Sequence, residues 1–144
     1  MKNIIEIVKI WQDDAEPFFQ LEITACSEII TAKSCIYSTN DMIDELEKKL
    51  QLFISNNEPE VFWQLGEKGD ATTPSVSLKF FRASSSGRIC VEVYMELDDG
   101  GKYSEHNCCF YVKTELGLLE KFYNRLPKLK EPQLNYPITL NELD

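Results

Sequence analysis

The chain has 144 residues, 43% hydrophobic and 11% aromatic. That is enough for one domain burying about two-thirds of its unfolded surface, and too apolar for disorder. Twenty-four acids against 15 bases give a net charge of −9 and a pI near 4.7, a balance that disfavours nucleic acid and anionic membrane as partners.

The bases are scattered, and the densest group (Lys121, Arg125, Lys128, Lys130) sits beside Glu120 and Glu131. No run approaches the roughly 20 apolar residues of a membrane helix. Glu6 interrupts the opening apolar stretch and no small-residue cleavage site follows, so no secretory signal is expected. The cysteines at 26, 35, 90, 108 and 109 are odd in number and form no Cys-x-x-Cys pair. Reduced thiols and a cytoplasmic location are the expectation.

Residues 3–11 are rich in β-branched side chains and predict a first strand. Gln12 to Pro17 holds three acids and a proline, a turn composition. Phe19, Leu21, Ile23 and Ala25 then alternate with Gln20, Glu22 and Thr24, the pattern of a half-buried strand. After a break at Ser27-Glu28, Ile30, Ala32 and Ile36 mark a third strand ending near Tyr37. Ser38 to Asp41 offers capping oxygens to a helix with Met42, Ile43, Leu46, Leu50, Phe53 and Ile54 on its apolar side. A fourth strand, Val61–Leu65, stops at Gly66, and the loop Glu67 to Pro74 leads into a fifth through Val76, Leu78 and Phe80.

Ser84 to Gly87 turns the chain into a hairpin over residues 87–112. Thr114 is placed to cap a second helix with Leu116, Leu119, Phe122, Tyr123 and Leu126 on its apolar side. Pro127, Pro132 and Pro137 predict an irregular tail closed by a one-turn capping box at Thr139 and Glu142. The expectation is an α+β fold in the order βββ-α-ββββ-α, with about seven antiparallel strands forming a curled sheet or a sandwich. Residues 1–126 form the domain and 127–144 a proline-containing tail packed on it or extending from it.

The hairpin carries the candidate site. Ile89, Val91, Val93, Met95, Leu97, Cys108, Phe110 and Val112 share one side, which faces a core. Glu92, Tyr94, Glu96, Tyr103, Glu105 and Tyr111 share the other, a water-facing plaque of carboxylates and tyrosines suited to a basic protein surface. A type I′ turn at Asp99-Gly100 sets Glu96 opposite Tyr103, Tyr94 opposite Glu105, Arg88 opposite Tyr111, and Cys90 opposite Cys109. The same turn places His106 inward, opposite Val93.

Other chemistry is poorly served. His106 beside Cys108 and Cys109 evokes a thiolate nucleophile, but no glycine, turn or helix terminus activates a sulfur there. His106, Cys108 and one acid lack metal-ligand spacing, and the Asp13, Asp14, Glu16 turn lacks a calcium-loop pattern. Gly66-Glu-Lys-Gly-Asp-Ala-Thr-Thr73 has its lysine before the second glycine, unlike a phosphate-binding loop. No catalytic residue, metal or cofactor is expected. An alternative is a small-molecule module with an apolar pocket between sheet and helix near Trp63 and Phe80.

The runs Phe19-x-Leu21-x-Ile23-x-Ala25, Phe62-x-x-Leu65-Gly66 and Gly87-x-Ile89-x-Val91-x-Val93 look like those of a group of small bacterial proteins. In size, acidity and strand-rich layout the chain resembles cytosolic immunity proteins of polymorphic toxin systems such as contact-dependent growth inhibition. That resemblance implies a non-enzymatic, stoichiometric inhibitor that masks a basic, nuclease-like toxin domain.

Overall fold

The computed structural model describes residues 3–56, 58–68, 74–97 and 106–141. In chain order these form β1 (Ile4–Gln12), β2 (Phe19–Cys26), β3 (Thr31–Ser38), α1 (Asn40–Ser55), β4 (Glu60–Leu65), β5 (Val76–Arg82), β6 (Arg88–Leu97), β7 (His106–Glu115), α2 (Leu116–Arg125), a 3₁₀ turn (Leu126–Lys130) and β8 (Ile138–Leu140). The fold is α+β and antiparallel, with two helices as expected. The strands number eight among the described residues, not seven, and they divide into two sheets of four: β3-β2-β1-β8 and β4-β5-β6-β7.

The eighth strand comes from the tail. Ile5, Glu6 and Ile7 of β1 pair with Leu140, Thr139 and Ile138, and both Ile138 and Leu140 are fully buried. Thr139 therefore lies in a strand instead of heading a capping box, and Glu142 is outside the described residues. Three residues between Pro137 and Asn141, which turns the chain at φ 65, are too few to show a period of their own. Burial against β1 makes the strand.

α1 begins as the sequence predicts. Thr39 sits in an extended conformation and its Oγ1 accepts the Met42 amide at 3.3 Å. Its last turn has no basic residue of its own. Arg82 of β5 fills that role, donating to the Phe53 carbonyl and lying 4.6 Å from the centre of the Phe53 ring, where the helix carbonyls favour a cation. α2 starts differently from the expectation: Glu115 is the residue before it, with no side-chain cap, and Thr114 is buried in β7.

One core joins all of this. It takes the inward side of both sheets, Ile43, Leu46, Leu50 and Phe53 of α1, Leu119 and Phe122 of α2, and Leu126 and Leu129 of the 3₁₀ turn. α1 lies against β4 and the 3₁₀ turn, α2 against β8 and β7, and the helices touch each other. Lys130 fastens the 3₁₀ turn to α1, with Nζ 2.6 Å from Asp44 Oδ1 and 2.7 Å from Glu47 Oε2. No helix among the described residues is long and apolar enough to cross a membrane.

The β6–β7 ladder has the expected faces but not the expected register. Glu92 lies opposite Tyr111, Tyr94 opposite Cys109, Glu96 opposite Asn107, Arg88 opposite Glu115, and Cys90 opposite Lys113. Tyr111 thus meets Glu92 where the two-residue turn would bring Arg88, a displacement of four residues. The ladder runs to Leu97 and His106, and residues 98–105, including the proposed turn, lie outside the described ones. An even displacement returns every side chain to its own face, so hydrophobic alternation fits both registers equally. His106, expected inward opposite Val93, instead stands exposed at the start of β7, opposite Leu97.

Candidate partner-binding face

Four of the six predicted residues lie together on the outer side of the second sheet: Glu92, Tyr94 and Glu96 on β6, and Tyr111 on β7. Tyr103 and Glu105 fall outside the described residues. Strand registers extend this face into cross-strand rows. Phe62, Lys79, Glu92 and Tyr111 form one row over all four strands, flanked by Glu60, Phe81, Cys90 and Lys113 on one side. Gln64, Ser77, Tyr94 and Cys109 form the row on the other side.

The polar groups of the face are tied to one another. Tyr111 donates its hydroxyl to Glu92 Oε2 at 3.1 Å, and its ring meets Phe81 edge-on at 6.3 Å. Tyr94 donates to Glu96 Oε2 at 2.8 Å, while Glu96 Oε1 accepts the Ser75 amide at 2.9 Å. Lys68 places its ammonium 4.5 Å from the centre of the Tyr94 ring. Burial, and then the bond to the Glu96 carboxylate, push the Tyr94 phenol up to about 12. The Tyr111 phenol is also raised, chiefly by its bond to Glu92. Tyr94 and Glu96 are half-buried and locked together. Tyr111, at 49% exposed, and Phe62, at 45%, offer open ring area.

The face is not the uniformly acidic plaque that alternation within one hairpin implies. Lys79 lies directly opposite Glu92 and reaches Glu60 at 3.6 Å. Arg88 lies opposite Glu115, and Lys113 stands at the end of the Glu60 row. Among the described residues, Glu60, Glu92, Glu96 and Glu115 are matched by Lys68, Lys79, Arg88 and Lys113. Lys79, Phe62 and Phe81 were beyond the reach of the sequence because β4 and β5 show alternation but not which strands they lie beside. The only available signal was that Phe62 and Phe81 break the apolar-in pattern of their own strands.

Burial raises the thiols of Cys35, Cys90, Cys108 and Cys109, the opposite of activation. Among the described residues, no three His, Cys, Asp or Glu side chains converge as metal ligands. Trp63 and Phe80 are fully enclosed in the core, and Trp63 gives its ring N–H to the Met42 carbonyl at 2.9 Å. Compared with protein families, curated proteins and solved structures, the chain matches none of them.

Proposed function

We propose that this protein is a non-enzymatic binding protein that neutralises a basic protein partner, in the manner of an immunity protein masking a nuclease-like toxin domain. The observation that carries the reading is the row Phe62, Lys79, Glu92, Tyr111: open aromatic area with a carboxylate held in place on a rigid sheet. Strand-borne side chains lose little entropy on docking, and tyrosine supplies contact area with few rotatable bonds. The charges of this face are balanced, so it recognises its partner by local pairing. The net charge of −9 accelerates encounter with a cationic domain.

The test pairs this chain with a basic toxin domain recovered by pull-down from the native host or, should one be encoded there, taken from the neighbouring gene. Titration calorimetry is expected to show one-to-one binding that weakens about tenfold or more in Tyr111→Ala and in Glu92→Lys. Co-expression should relieve the toxicity of that domain. Absence of a complex, or variants that bind as the parent does, would overturn the proposal.

A further inference from the structure

The first sheet carries what the second lacks, an acidic segment that bears open aromatic rings. Alternation along β1 sends Ile5, Ile7 and Lys9 inward, and by the same period Trp11 would follow. The register shifts between Lys9 and Trp11, so Trp11 lies opposite Gln20, which lies opposite Tyr37. The bulge thus turns a tryptophan out of the core and into a water-facing row, a typical way of re-aiming a side chain.

Phe18, just before β2, completes the cluster. Ring centres are 5.4 Å apart for Trp11 and Phe18, 5.6 Å for Phe18 and Tyr37, and 6.1 Å for Trp11 and Tyr37, all steeply tilted. Although the rings cover one another, Trp11 remains 40% and Tyr37 57% exposed. Rings this close leave no central cage for an ammonium ion. They form a platform on which a flat cation stacks, and guanidinium suits it better than ammonium.

The segment that carries the rings is acidic. From Trp11 to Ser38 the chain has Asp13, Asp14, Glu16, Glu22 and Glu28 against Lys33 alone, four of the nine net negative charges. Asp13 is spent on the turn, accepting the amides of Ala15 at 3.0 Å and Glu16 at 2.5 Å, and Glu22 reaches Lys33 at 3.6 Å. Asp14 and Glu16 stand exposed in the turn that joins Trp11 to Phe18.

We infer that Trp11, Phe18 and Tyr37, with Asp14 and Glu16, form a second docking surface, for an arginine-rich segment of a protein. Charge complementarity selects that occupant, since nucleic acid or a second copy of this acidic chain would meet repulsion. The inference stands independently of the face on the second sheet.

Trp11 reports on it directly, because the other tryptophan, Trp63, is buried. An arginine-rich decapeptide and its lysine counterpart would be titrated at about 0.15 M salt, where weak surface attraction is screened. The arginine peptide is expected to change Trp11 emission saturably and to bind about fivefold tighter than the lysine peptide. Tyr37→Ala and the double variant Asp14→Asn/Glu16→Gln should each weaken it by about the same factor. Glu92→Gln, on the other sheet, should leave it unchanged, and Trp11→Phe should abolish the signal. No saturable response, equal binding of the two peptides, or unaffected Tyr37→Ala would overturn the inference. A sedimenting dimer that shields Trp11 would also overturn it, assigning the surface to a second copy.

Discussion

Tyr94 shows how one residue can look like a contact in the sequence and act as a brace in the fold. Its hydroxyl serves Glu96, Glu96 serves the Ser75 amide, and Lys68 covers its ring, so little of it is left to offer a partner. A phenol raised to about 12 stays neutral when folded, whereas in an unfolded chain it ionises near its ordinary value of 10. Stability from this group is therefore complete below pH 10 and declines as pH rises from 10 towards 12. Phenolate absorbance should show one tyrosine ionising well after the others, and Tyr94→Phe should remove that late step. A single titration step near pH 10 would show that the phenol is not held this way. Lys9 has the opposite displacement. Burial lowers its ammonium, and Glu131 only partly offsets this. It lies in the core with Nζ on Gln12 Oε1 at 2.9 Å and on the Glu131 carbonyl. Its inward position was not legible, because β1 has apolar residues on both sides. Nor were its partners, one of them 122 residues away.

Among elements, the hairpin and α1 were the most legible, since ten-residue strands and a sixteen-residue amphipathic helix repeat their periods often enough to be unambiguous. β8 was illegible because it is held from outside. Asn141 concentrates that dependence. Its side chain receives the Thr114 hydroxyl at 2.5 Å and donates to the carbonyls of Asn3 and of Lys113, while Asn3 Oδ1 accepts the Lys113 amide at 3.0 Å. One amide thus ties the start of β1, the edge of β7 and the end of β8, joining the two sheets. Asn141→Ala leaves a buried hydroxyl and two carbonyls without these partners, at a cost of about 2 kcal/mol. For a domain of this size the midpoint should fall by roughly 5 °C in a thermal melt. An unchanged midpoint would mean that the joint carries no load.

At the scale of the whole molecule, the C-terminal segment is part of the core. Ile138 and Leu140 are fully buried, and each is worth about 1.5–3 kcal/mol of transfer energy. That is a large share of the roughly 5–15 kcal/mol available to a small domain. Removing residues 138–144 also bares the backbone edge of β1, an invitation to aggregation. The shortened chain should lose its cooperative melt and bind a dye for exposed apolar surface. A melt within a few degrees of the parent would refute this account. Charge is also organised at this scale. The second sheet balances its acids with bases, while the bulged corner of the first joins its exposed rings through an acidic turn.

The sequence by itself determined the α+β class, seven of the strands, both helices and the inward side of the second, third and fifth strands and of the hairpin. These depend on periods read within one segment, where a residue's neighbours in space are its neighbours in the chain. Tertiary structure alone decided the pairing of segments: the division into two sheets, the register of the hairpin, the recruitment of β8 and the row that sets Lys79 against Glu92. A register displaced by an even number of residues, or a strand moved to a different sheet, leaves each local pattern unchanged. Only side-chain fit across the core distinguishes those arrangements, and it is there that the surface charge of this protein is apportioned between its two faces.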